Sequence, residues 1–141
     1  MSSLDIAIVV CILFWAGFVS SISFMEAWLK FRAPGVTLRT GLSIGRLIFS
    51  ALNKVECVLA LLISVLLFIK GDIARHTWVY SVPLVLLLIQ TLFLLPALDA
   101  RTNAILSDQL VPPSRIHFYF VIAETGKVIA LIVFAVLHCT A

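Results

Sequence analysis

Arg46, Asn53 and Glu56 lie seven and three residues apart, the last two within a run otherwise suited to lipid, SALNKVECVLA followed by LLISVLLFI. At about 100° per residue on an α-helix, these three side chains fall in one narrow sector, with Ser50 beside them. A guanidinium, an amide and a carboxylate on one face can form ion pairs, hold a small polar solute or handle a proton. Lys54 stands two residues from Glu56, roughly 200° around the helix, so these two do not close on each other. Glu56 must seek a partner on another helix, while Lys54 reaches toward the headgroups. Further along, His117 and Glu124 are seven apart and share a face, with Lys127 adjoining three residues beyond.

The other polar residues extend the pattern. Glu26 lies near the end of the first apolar segment and Gln90 about midway along the third. Asp99, Arg101 and Asn103 close the third, and His117 and Tyr119 open the fourth. Stretches such as VLALLISVLLFI and IALIVFAVL hold almost nothing ionisable, so all four segments become polar at the same end. The acids Glu26, Glu56, Asp99 and Glu124 match the bases Arg46, Lys54, Arg101 and Lys127 in number, which allows a neutral, cross-linked core. Glu56 and Lys127 would sit roughly 12–17 Å from their helix ends at 1.5 Å per residue. That is near the bilayer centre, where an unpaired charge costs at least about 2.5–3.5 kcal/mol. The expected ligand- or ion-binding set is Glu26, Arg46, Asn53, Glu56, Asp99, His117, Glu124 and Lys127, with no catalytic residue among them. Such pairs can also serve only to fix helix register and orientation.

The elements that must position this set are set by composition. The chain has 141 residues, 62% hydrophobic and 12% charged, with a mean hydropathy of +1.18. Soluble domains carry about a quarter charged residues, and a bilayer crossing needs about 20 apolar residues. Ile6 to Trp28, Ile44 to Ile69, Trp78 to Leu98 and Ile116 to His138 meet that length. The expectation is an all-α integral membrane four-helix bundle, one domain over residues 1–141, with helices near 5–29, 43–69, 77–105 and 115–138. The first segment reads as a retained helix: MSSLD lacks a basic start, and SFMEAWLKFR is no small-residue cleavage site.

Pro34 and Gly35 break the chain after helix 1, and Thr37 or Thr40 can cap the start of helix 2. GLSIGRLIFSALN reads as a stretch that first lies along the interface. KGDIARHT is short enough to make helices 2 and 3 antiparallel neighbours, and Trp78 and Tyr80 supply an aromatic anchor. Pro83 falls in the first turns of helix 3, Pro96 is placed to kink it, and Pro112-Pro113 stops any continuation. Gly17 and Ser21, Gly41 and Gly45, and Gly126 and Ala130 have the four-residue spacing that lets membrane helices approach closely.

Lys30, Arg32, Arg39, Arg101 and Arg115 fall in or beside the first and third connectors, against Lys70 and Arg75 at the opposite face. The excess puts those connectors in the cytoplasm and both termini outside, as in a bacterial inner-membrane protein. The partners expected are the bilayer and a second copy or larger membrane complex; the charge of +3 belongs to loops and gives no reason to expect nucleic acid. Cys11, Cys57 and Cys139 form no CxxC pair, although Cys11 and Cys139 share a membrane face and a bridge between them is conceivable.

Among specific chemistries, a di-iron centre would require paired Glu-x-x-His motifs, and none is present. Haem would require a deep axial histidine, whereas His117 lies near a helix end and His138, beside Cys139, reads as a frayed terminus. No GxSxG, P-loop or dinucleotide fingerprint occurs, so no enzyme class and no cofactor is indicated. GLSIG with Arg46 has the parts of an anion site at a helix start, although close helix packing is the plainer explanation of the glycines. The functional expectation is binding or transport of a small molecule or ion, a carrier needing a dimer. Its alternatives are a non-catalytic subunit or assembly factor, and a metal- or haem-binding membrane protein.

The string SFMEAWLKFRAPGVTLRTGLSIGRLIFSALNKVE, with LDARTNAI and HFYF further on, resembles a family of small, uncharacterised four-span membrane proteins, mostly bacterial. More remotely, the layout is similar to copper-resistance protein D-type membrane domains. The resemblance covers about three quarters of the chain and is mostly topological. It implies the four-span fold and transfers no site residue. Met1 and Met25 are the only methionines, so no methionine-rich copper ligand set is implied.

Overall fold

The computed structural model describes residues 1–71 and 77–140. It contains four helices long and apolar enough to cross a membrane: α1 (Ser3–Arg32), α2 (Leu38–Lys70), α3 (Thr77–Leu106) and α4 (Ile116–Thr140). In packing, α1 touches α2 and α4, and α3 touches α4 and α2, so the four form a ring with α2 and α4 on one diagonal. Helices α2 and α3 meet chiefly along the Leu95–Leu106 part of α3. One end of the ring, the basic end, carries the first and third connectors; the other carries both termini.

Local chemistry sets the helix limits. Ser2 and Asp5 form a capping box at the start of α1: the Ser2 hydroxyl accepts the Asp5 N–H at 3.2 Å, and the Asp5 carboxylate accepts the Ser2 N–H at 2.7 Å. Thr37 caps α2, its Oγ1 accepting the Thr40 N–H at 3.2 Å. That cap starts α2 at Leu38, ahead of the position near 43 expected from hydropathy, and GLSIG lies within its first turns. Gly71, at φ +67°, ends α2 in the left-handed conformation that glycine adopts without steric cost. The expectations that involve Arg75 and the middle of KGDIARHT lie outside the described residues.

Two helices contain a π-helical stretch, Ser21–Glu26 in α1 and Gln90–Leu94 in α3. In each, an N–H reaches back five residues: Ala27 to the Ile22 carbonyl, and Leu95 to the Gln90 carbonyl. Pro96 comes directly after and cannot donate a backbone hydrogen bond, which is a sequence reason for the widened turn in α3. Each stretch places one buried polar residue inside the ring, Ser23 and Gln90.

Between the polar middle and the termini, the interior is apolar and tight. Ile8, Ile12, Ile63, Leu131 and Phe134 are almost wholly buried there. The outward faces carry Val10, Phe14, Leu61, Phe68, Leu92 and Ile129, all exposed. The terminal end is tied across three helices: Asp5 Oδ1 accepts from Lys70 Nζ at 2.7 Å and lies 3.0 Å from His138 Nε2. His138 is thus held within the bundle, with 5% of its side chain exposed, rather than frayed, because Asp5 in the first turn of α1 comes beside the last turn of α4. Cys11, Cys57 and Cys139 are free thiols, so no bridge joins Cys11 to Cys139.

Candidate functional site

The residues expected to form one cluster occupy three layers along the ring axis. The deepest is built on Lys127, near the middle of α4, whose side chain is fully buried. Its ammonium pairs with Glu56 Oε1 from the middle of α2, contacts Glu124 Oε1 at 3.2 Å and donates to Gln90 Oε1 from the middle of α3. The Gln90 amide nitrogen donates to Glu124 Oε1, so Gln90 bridges the base and the acid. Glu124 Oε2 accepts from the Ser23 hydroxyl at 3.2 Å, and Glu56 Oε1 accepts from the Trp15 indole N–H at 2.8 Å. All four helices therefore contribute to one closed network, as buried polar groups in an apolar medium require.

The composition of this network decides its electrostatics. It holds two carboxyl groups and one ammonium, with Glu56, Glu124 and Lys127 at 2%, 0% and 0% exposure. With all three ionised it carries one net negative charge at mid-depth; one added proton or one bound monovalent cation makes it neutral. Among the described residues, Lys127 and Trp15 both meet the Oε1 oxygen of Glu56.

The middle layer lies toward the basic end. Asn53 donates from Nδ2 to the Thr91 hydroxyl at 2.8 Å, linking α2 to α3. The rings of Phe49 and Phe120 pack edge to face, with centroids 5.2 Å apart. Phe120 stands one turn before Glu124 and Phe49 one turn before Asn53, so this aromatic pair separates the buried charges from the outer layer.

The outer layer is a cavity of about 660 Å³ at the basic end, walled by all four helices. Its polar lining includes Lys30, Arg46, Ser50, Asp99, Thr102 and His117. Arg46 Nε pairs with Asp99 Oδ1 at 2.8 Å, and its Nη1 donates to Asn103 Oδ1. Lys30 Nζ lies 3.3 Å from Glu26, with the Phe31 and Phe49 ring centroids at 5.5 and 5.6 Å. Gly41 and Gly45 make the space: a Cβ on Gly41 would overlap the Phe31 ring, and one on Gly45 would come within 2.8 Å of Lys30 Nζ.

Of the eight residues singled out from sequence, Glu56, Glu124 and Lys127 meet in the deep layer, Asn53 stands in the middle, and Arg46, Asp99 and His117 line the outer cavity. Glu26 pairs with Lys30 on its own helix and reaches none of the buried charges. Lys54 is exposed on the outer face of α2, away from Glu56, as its spacing requires. The layering has a simple source. Helices α2 and α4 run in the same direction, and Arg46–Asn53–Glu56 and His117–Glu124–Lys127 have the same seven-and-three spacing, so Arg46 and His117 share the outer cavity while Glu56 and Lys127 meet in the deep layer.

Trp15, Ser23, Gln90 and Lys30 were not in the sequence-derived set. Gln90 carried a legible signal, a lone amide in the middle of an apolar span. Trp15 carried a weaker one, an indole N–H too deep for an interfacial belt and therefore in need of an acceptor. Among the described residues, no group of three or more His, Cys, Asp or Glu side chains is placed to hold a metal ion. In comparisons with protein-family models, curated proteins and solved structures, nothing matches this chain.

Proposed function

We propose that the chain is an integral membrane protein, with its first and third connectors in the cytoplasm, that binds a small molecule or ion through its polar core. In this reading the Glu56–Lys127–Glu124 cluster takes up and releases one positive charge, and exchange occurs from the basic end. The observation that carries the proposal is the two-to-one ratio of buried carboxyl groups to ammonium. A cross-brace needs only equal numbers, whereas an unbalanced charge at this depth costs at least about 2.5–3.5 kcal/mol unless a proton or cation joins it. The direction of exchange is supported by the apolar plug of Ile12, Ile63, Leu131 and Phe134 toward the termini, against Ser23, Asn53 and Thr91 toward the cavity.

Infrared spectroscopy of the purified protein, combined with titration by sodium and potassium, tests the reading. A protonated-carboxyl C=O band, or saturable stabilisation by one of these cations, is expected in the wild type. Whichever signal appears should be lost or altered in Glu56→Gln and Glu124→Gln variants that remain folded. A folded wild type with neither signal, whose variants lose only stability, would reduce the cluster to a structural brace.

A further inference from the structure

We propose that the cavity at the basic end binds an amphiphile with one small anionic head, a carboxylate or phosphate monoester on a hydrocarbon tail. This goes beyond the proposed function and shares with it only the basic end as the side of entry, since it uses the cavity rather than the buried charge cluster. Depth is the first argument. Arg46 precedes Glu56 by ten residues, which is about 15 Å along α2. With Glu56 at mid-depth in a hydrocarbon layer of about 30 Å, Arg46 stands at headgroup level.

The second argument is the state of the cavity's donors. Arg46 is held in place by Asp99 through Nε and by Asn103 through Nη1, which leaves Nη2 without a partner among the described residues. His117 likewise has no polar partner among them. Lys30, paired with Glu26, adds a second cation from α1. A guanidinium held in place through Nε and Nη1 keeps Nη2 to donate to one oxygen of a carboxylate or phosphate. Arg32, Arg101 and Arg115 lie at the same end and add a field that draws anions, whereas the Arg39 charge is paired with Asp108.

The third argument selects an amphiphile over a soluble anion. Leu42, Leu47, Leu95 and Leu98 form an apolar side of the cavity, and Leu47 is also 69% exposed on the outer face of α2. The wall thus runs from the charged lining out to the surface that faces lipid, a path for a tail.

The test uses the full chain in neutral detergent, with binding read by native mass spectrometry and calorimetry. The probes are hexadecanoate and hexadecyl phosphate, against hexadecanol (tail without charge) and acetate or inorganic phosphate (charge without tail). One charged amphiphile per chain is expected, weakened about tenfold or more in Arg46→Gln. Ser50→Phe, which fills the cavity, should abolish binding, and Arg39→Gln, outside the lining, should leave it unchanged. Should Arg46→Gln fail to fold, Lys30→Gln carries the charge test. Equal binding of hexadecanol, equal binding of the free anions, or an equal loss in Arg39→Gln would overturn the assignment. Glu56→Gln separates the two proposals, since it should remove the buried-charge signal while hexadecanoate still binds.

Discussion

Glu56 and Lys127 form a salt bridge across the diagonal of the ring, joining two helices whose backbones do not pack against each other. Each side chain reaches the axis from the middle of its helix, and each is almost fully buried. Replacing Lys127 with Met keeps most of the volume but removes the ammonium that joins the Glu56 and Glu124 carboxylates and leaves Gln90 Oε1 without its donor. Such a loss of one partner from a buried pair costs about 3–5 kcal/mol. Unfolding of Lys127→Met in detergent should show that loss, and Glu56→Gln combined with Lys127→Met should recover part of it.

Trp15 shares the same carboxylate oxygen. Its indole donates to Glu56 at 2.8 Å, while the ring fills the centre of the apolar core with no exposure. Trp15→Phe retains much of the packing and removes the donor. A hydrogen bond to a charged group contributes about 1.5–3 kcal/mol, and a loss in that range is expected in denaturant titration. Trp28→Phe is the control: its indole donates to the Phe24 carbonyl at an exposed site, where a change within about 0.5 kcal/mol is expected.

The two glycines of the cavity should respond differently to alanine. At Gly41 the new methyl overlaps three atoms of the Phe31 ring, so the whole ring must leave. At Gly45 it meets the ammonium tip of Lys30 at 2.8 Å, which a flexible side chain can withdraw by rotation. Gly41→Ala should cost about 1–3 kcal/mol, as over-packed sites do. Gly45→Ala should cost less in stability but change hexadecanoate binding, because it moves a cavity donor. Thermal unfolding and binding measured on both variants would separate these effects; equal losses in both would contradict this account.

Lys54 offers the opposite case to Lys127. It lies one turn or less from the same depth, yet its side chain is exposed and has no partner among the described residues. Lys54→Leu should change unfolding in detergent by no more than about 0.5 kcal/mol. A loss comparable with that of Lys127→Met would mean that Lys54 belongs to the core network.

Much of this arrangement was legible from residue types and spacing. The apolar runs gave four long helices, Thr37 and Thr40 stood as the two possible caps of the second, and the angular distance between Lys54 and Glu56 separated an outward lysine from an inward acid. Lys127 was recognisable as a counter-charge because it adjoins Glu124 on one face. These features depend on helical periodicity and local capping, which act over a few residues and can be read along a line.

Which side chains meet across the ring could not be read in that way. The shared depth of polar residues suggested one cluster, but a helix separates Arg46 from Glu56 by about 15 Å, and packing fills that interval with Phe49 and Phe120. Gln90 and Ser23 enter the network through π-helical turns, whose extra residue rotates the rest of the helix relative to an ordinary periodicity. Trp15 counted as apolar until its N–H was found against a carboxylate. Spacing within each helix prescribed what that helix would present and at what depth; partner choice arose from packing, because a buried charge is satisfied only by whichever donor or acceptor another helix brings within reach.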